Sequence, residues 1–235
     1  MVMDRKQLAG MIDHTLLKPD ARRPAIEQLC REALEYGFAS VCVNGAWVAY
    51  CRELLEGTDV KVAAVCGFPL GAMDAGAKAF EAARAAEQGA KEIDMVLQVG
   101  LLLDGRYREV EDDIRGAVEA VRDQAIVKVI LETGLLDDGK IRDACLLAEQ
   151  AGAHFVKTST GFGPGGATEE HVRLMRSSVS SSMGVKASGG IRSLEAAIRM
   201  IEAGANRIGT SSGVAIMQEL DAGAGGSRPD SGSGY

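Results

Sequence analysis

Short apolar runs alternate along the chain with longer stretches whose apolar residues recur at three- and four-residue steps. The runs lie at 11–17 ("MIDHTLL"), 39–44 ("ASVCVN"), 61–69 ("KVAAVCGFP") and 92–97 ("EIDMVL"). They continue at 126–133 ("IVKVILET"), 154–159 ("HFVKTS"), 184–189 ("GVKASG") and 207–212 ("RIGTSS"). Their length and β-branched content predict strands. The stretches between them, such as "RPAIEQLCREALEYG" and "AGAKAFEAARAAEQG", carry the helix period. Strand followed by helix, eight times over, predicts a parallel (β/α)8 barrel of the TIM type, an α/β fold filling a single domain over residues 1–220. A doubly wound open sheet is the rival. It would usually need fewer strands and a glycine-rich turn after the first, and "MIDHTLLKPD" contains no glycine.

A faint internal repeat supports the barrel. Four predicted helices end in glycine, at 37, 89, 152 and 204, and a strand starts a few residues later. Glycine there supplies a left-handed cap. Five residues beyond each glycine stand Cys42, Asp94, Lys157 and Gly209. Equal offsets predict equal height and one side of the sheet, because side-chain direction alternates along a strand. Three strand lysines, Lys128, Lys157 and Lys186, follow one another at 29-residue steps. That spacing predicts consecutive strands and close, mutually repelling ammonium groups.

Composition narrows the function. Hydrophobic residues make up 46% of the 235 and aromatics 4%, so the core is aliphatic. The net charge is −7, without a basic block, which argues against nucleic acid or an anionic membrane as partner. A small anionic substrate stays open if a pocket gathers cations. Five cysteines without a C-x-x-C spacing predict reduced thiols rather than a disulfide frame or zinc knuckle. No apolar run approaches the ~20 residues of a membrane span, and the start shows no secretory h-region. A cytoplasmic location is the expectation. The three histidines, at 14, 154 and 171, lack metal-site spacing, and there is no G-x-S-x-G. The Gly/Ser-rich end, 221–235, predicts a flexible tail.

The candidate chemistry starts at Lys157, in the middle of "FVKTSTGF". A strand lysine usually snorkels to water or pairs with a carboxylate. Burial and a neighbouring cation both disfavour the ammonium form, and a lysine so tuned can attack a carbonyl and form a Schiff base. Lys186 next door would be the tuning cation, and Asp94, with water, the proton shuttle. After the seventh and eighth strands come "KASGGIRS" and "GTSSGVA". Barrels often hold phosphate on these two loops, through backbone N–H groups and a helix start. Arg192 either adds charge there or faces solvent.

"IDHTLLKPD", "EIDMV", "KVILETGLL", "FVKTSTGFGPGGAT", "VKASGGIR" and "GTSSG" together resemble the deoxyribose-phosphate aldolase family, in order and over residues 12–213. The resemblance implies a class I aldolase, without metal or organic cofactor, that reversibly cleaves 2-deoxy-D-ribose 5-phosphate into D-glyceraldehyde 3-phosphate and acetaldehyde. It implies Lys157 as Schiff-base lysine, Asp94 as proton shuttle and Lys186 as the pKa-lowering partner. Asp13 would lie near the substrate hydroxyls and the lysine network. Gly161, Gly189, Gly190, Gly209, Ser211 and Ser212 would bind the phosphate, and Phe162 stands where some members carry a lysine. Cys42 matches a position implicated in trapping by aldehydes, and is otherwise a structural thiol. Tyr235 matches a terminal tyrosine thought to assist proton transfer, and is otherwise idle. Oligomerisation as a homodimer is the partner expectation. A ketone-donor imine aldolase, a sugar-phosphate isomerase and a non-catalytic phosphosugar-binding protein remain as alternatives.

Overall fold

The computed structural model describes residues 3–225. The eight strands are β1 (Ile12–Leu16), β2 (Ser40–Val43), β3 (Lys61–Cys66), β4 (Glu92–Val96), β5 (Ile126–Ile130), β6 (Phe155–Lys157), β7 (Gly184–Ser188) and β8 (Arg207–Thr210). All pairings are parallel, and β8 closes onto β1. Every predicted run holds one strand, in order, trimmed by one to three residues at its ends where the chain turns into a loop.

The helices are α1 (Arg5–Ala9), α2 (Arg23–Tyr36), α3 (Val48–Leu54), α4 (Ala75–Glu87) and α5 (Val99–Leu103). Then come α6 (Tyr107–Ala120), α7 (Asp138–Gln150), α8 (Glu169–Ser178), α9 (Leu194–Glu202) and α10 (Gly213–Gly225). Asp74, Asp137, Thr168 and Ser193 start α4, α7, α8 and α9 by accepting a backbone N–H. All four repeat glycines adopt positive φ just past their helices, which lets the chain turn back into the next strand. No helix among the described residues is long and apolar enough to cross a membrane. Helix α10 runs through Gly225, and Tyr235 lies outside the described residues.

Alternation along each strand separates two environments. Outward residues such as Val41, Val43, Ile93, Met95, Val127 and Val129 pack against the helices and form the main apolar core. Inward residues on β2 and β3, among them Cys42, Ala63 and Val65, form a small apolar cluster with Leu17. The rest of the interior is ionic, and that is where the site sits. All five cysteines are free and buried.

Candidate active site

Strands β4, β6 and β7 deliver Asp94, Lys157 and Lys186 to one point. Lys157 Nζ donates to Asp94 Oδ2 at 2.8 Å, and Lys186 Nζ donates to the same oxygen at 2.7 Å. The two lysines are register partners on adjacent strands. Asp94 and Lys186 are sealed from solvent, whereas Lys157 keeps 3% exposure and lines a cleft of about 370 Å³. The cleft opens at the carboxyl ends of the strands, the face where barrel enzymes place their chemistry.

An ionic column continues beneath. Lys128 Nζ donates to Asp94 Oδ1 at 2.8 Å and pairs with Glu92 Oε2 at 2.5 Å. Asp13 accepts from Ser40 Oγ and from Arg207 Nη1, both at 2.7 Å, and pairs with Lys186. Arg207 reaches Glu92 at 2.8 Å. The equal spacing does put the three lysines on consecutive strands, but not all at matching positions. Lys128 pairs in register with Asp94 and Phe155, while it is Ile130 that pairs with Lys157. Barrel stagger places Lys128 below the other two lysines, and carboxylates stand between the ammonium groups.

Four cations (Lys128, Lys157, Lys186, Arg207) therefore face three carboxylates (Asp13, Glu92, Asp94). The cluster balances if one amine is neutral, and contacts decide which. Lys186 touches two carboxylates and Lys157 one. Burial pushes the Lys157 amine below its ordinary value; Asp94 opposes this and the Lys186 charge adds to it. For Lys186, burial acts the same way, but Asp13 and Asp94 outweigh it and hold the ammonium charged. Burial also disfavours the Asp94 carboxylate, yet Lys128, Lys157 and Lys186 hold it well below the usual range.

Above Lys157 the cleft wall includes Gly161, Gly189, Gly190, Gly209 and Ser211. Gly209 leaves room for its neighbour: an added Cβ would lie 2.9 Å from Lys186 Cε and 3.0 Å from Ser188 Cβ. Ser212 is not on the wall, and its N–H is donated to Thr210 Oγ1 at 2.9 Å. Asp13 lies inside the ionic column, off the wall. Cys42 sits in the apolar cluster, where burial raises its thiol and keeps it protonated. Arg192 lines the cleft, and so does Lys18, a cation inside the quoted "LLKPD" to which sequence reasoning gave no role. Glu92 and Arg207, the lower ends of the column, were likewise missed. Each sits at a strand start, where a charge looks solvated.

The chain has counterparts among known proteins. The family model described as DeoC/LacD family aldolase matches residues 8–219. A deoxyribose-phosphate aldolase from Clostridium kluyveri is 57% identical over 217 residues, covering 92% of this chain and 100% of that one. Another, from Geobacillus sp., is 58% identical over 211 residues, covering 90% and 95%. Among solved structures, the tetrameric deoxyribose phosphate aldolase from Aeropyrum pernix superposes with a TM-score of 0.87 at 38% identity, covering 93% of this chain and 92% of that one.

Proposed function

The chain belongs to the DeoC/LacD aldolase family, and on that premise we propose how its cleft works. It is a class I lyase of the deoxyribose-phosphate aldolase kind, reversibly cleaving 2-deoxy-D-ribose 5-phosphate into D-glyceraldehyde 3-phosphate and acetaldehyde. The neutral Lys157 amine attacks the open-chain aldehyde. Asp94, 2.8 Å from Lys157 Nζ, moves protons with water as the carbinolamine forms and loses water. The resulting iminium draws in the electron pair of the C2–C3 bond as the C3 hydroxyl gives up its proton. Glyceraldehyde 3-phosphate leaves, an enamine remains on Lys157, and protonation with hydrolysis returns acetaldehyde and the free amine. Lys186 stays charged throughout and penalises a second charge on Lys157.

The observation that carries this reading is the pairing of a depressed lysine with a charged one across a single carboxylate oxygen. Backbone around Gly161, Gly189, Gly190 and Gly209, with Ser211, Lys18 and Arg192, is suited to the phosphate. The direct test is turnover of 2-deoxy-D-ribose 5-phosphate. Lys157→Ala should lose at least about a thousandfold in kcat, on the scale of removing a covalent nucleophile. Unchanged turnover in that variant would refute the reading. Because the iminium is the electron sink, a chelator such as EDTA should leave the rate of the wild type unchanged; loss of rate would count against the mechanism.

We also place the protein in the cytoplasm, as a homodimer. Support for self-association comes from the tetrameric relative and from large apolar side chains in solvent, such as Leu70 and Phe80 at 77% and 72% exposure. Sedimentation showing a single monomeric species at working concentration would contradict the dimer.

A further inference from the structure

Glu132 carries two costs at once. Its backbone is left-handed, with φ 55°, a conformation that residues other than glycine seldom adopt. Its carboxylate is buried, the residue keeping 4% exposure. Its hydrogen-bond partners are the N–H and the hydroxyl of Thr160, not a cation. Strain and a buried carboxylate without a counter-ion persist where the surroundings impose them, and such places cluster at functional sites.

The backbone on either side explains the geometry. Leu131 N–H bonds the Lys157 carbonyl at 2.9 Å, and Thr133 N–H bonds the next carbonyl, that of Thr158, at 3.0 Å. Glu132 is thus the extra residue of a bulge, facing the peptide that follows Lys157. A glycine would make this bulge without the backbone cost. What glycine would lack is the side chain. Both carboxylate oxygens face the Thr160 N–H at 3.4 Å, and one accepts the Thr160 hydroxyl. With its proton so committed, Thr160 Oγ1 accepts the N–H of Phe162 at 3.0 Å and of Gly163 at 3.3 Å. Thr160, Gly161 and Phe162 form one wall of the cleft.

We propose that Glu132 is a positioning residue that, through the Thr160 hydroxyl, fixes the 160–163 turn as the wall holding the phosphate end of the substrate. The proposal rests on the aldolase reading of the cleft given above. Glu132 touches neither Lys157 Nζ nor the reacting carbons. Imine formation with a small phosphate-free aldehyde is therefore spared when it is lost.

Glu132→Gly separates side chain from backbone, because it relieves the strain and keeps the bulge. Its melting temperature should stay within about 5 °C of the wild type, because relief of the backbone strain offsets part of the loss of the Thr160 hydrogen bonds. Its KM for 2-deoxy-D-ribose 5-phosphate should rise about tenfold, the size of one lost charge-assisted hydrogen bond, with kcat changed less than about threefold. Borohydride capture of acetaldehyde on Lys157 should proceed at the wild-type rate. Glu132→Gln keeps one acceptor, so its KM should fall between the two. In a cycle with Thr160→Val, the double variant should be no worse than the worse single, as expected of residues acting in series. A wild-type KM in Glu132→Gly, or additive losses in the cycle, would overturn the proposal. If Glu132→Gly melts early, Glu132→Gln decides: a raised KM supports the proposal and a wild-type KM ends it. Failure of the aldolase reading looks different, since the wild type itself would then show no adduct at Lys157.

Discussion

At the scale of single residues, two adjacent lysines are pushed in opposite pKa directions, and they differ by one carboxylate contact. Asp13 and Asp94 keep Lys186 charged, while Lys157 has Asp94 alone and is pushed down by burial and by Lys186. The imine-forming rate should therefore rise with pH through a value below 10.5, the ordinary lysine value, and then level off. Lys186→Met removes a cation and leaves two aspartates less neutralised. Both effects raise the Lys157 pKa, so the alkaline limb of the trapping rate should move to higher pH. Where that limb lies above pH 7, moving it up by about one pH unit leaves about tenfold less neutral amine at pH 7. A limb that stays in place would show that burial alone tunes Lys157.

At the scale of elements, the apolar pattern made every strand legible, because a buried parallel strand must be apolar on its outward side whatever its inward side does. It also led to Lys157, Asp94 and Lys186, where ionisable residues interrupt such runs. It was silent on heights across the barrel, which depend on stagger that no periodicity records; Lys128 stands on the expected strand but below the other two lysines for that reason. Buried charge on helices was equally hidden. Lys78 reads as an ordinary position in α4, yet it is fully buried and donates to Val96 O at 2.8 Å and to Asp113 Oδ2 of α6 at 2.7 Å. Asp113→Ala strands that ammonium and should cost about 3–5 kcal/mol in denaturant unfolding, with activity per folded molecule unchanged. A loss within about 0.5 kcal/mol, typical of surface sites, would refute the buried pair. Strand β8 makes the complementary point. Gly209→Ala intrudes on Lys186 and Ser188, and should lower kcat about tenfold or more, as sub-ångström displacement of catalytic groups does.

At the scale of the whole molecule, the barrel interior is a column of charge beside one small apolar cluster on the β2–β3 side, and its stability must follow pH accordingly. Asp13 and Asp94 are held below 3.8, the ordinary aspartate value, by the surrounding cations. Between the folded and unfolded values the unfolded chain binds more protons, so stability rises with pH there. The contribution is fully present above the unfolded value near 3.8 and is lost as pH falls below it. Urea midpoints should therefore drop steeply below about pH 4, and Asp13→Asn should weaken the protein at neutral pH while flattening that acid limb. An acid limb equally steep in the variant would mean that other carboxylates govern it. The same column ties the fold to the proposed function: the excess of one cation on which the proposed role of Lys157 rests belongs to the cluster, not to any one strand.

The central claim is that Lys157 is the nucleophile of this cluster, and borohydride trapping tests it most directly. The protein is incubated with acetaldehyde, reduced, digested and mapped by mass spectrometry. The account requires one ethylated lysine, Lys157, absent in Lys157→Ala and still detectable in Asp94→Ala. An adduct on Lys186 or Lys128, one spread over surface lysines, or none at all, would contradict it.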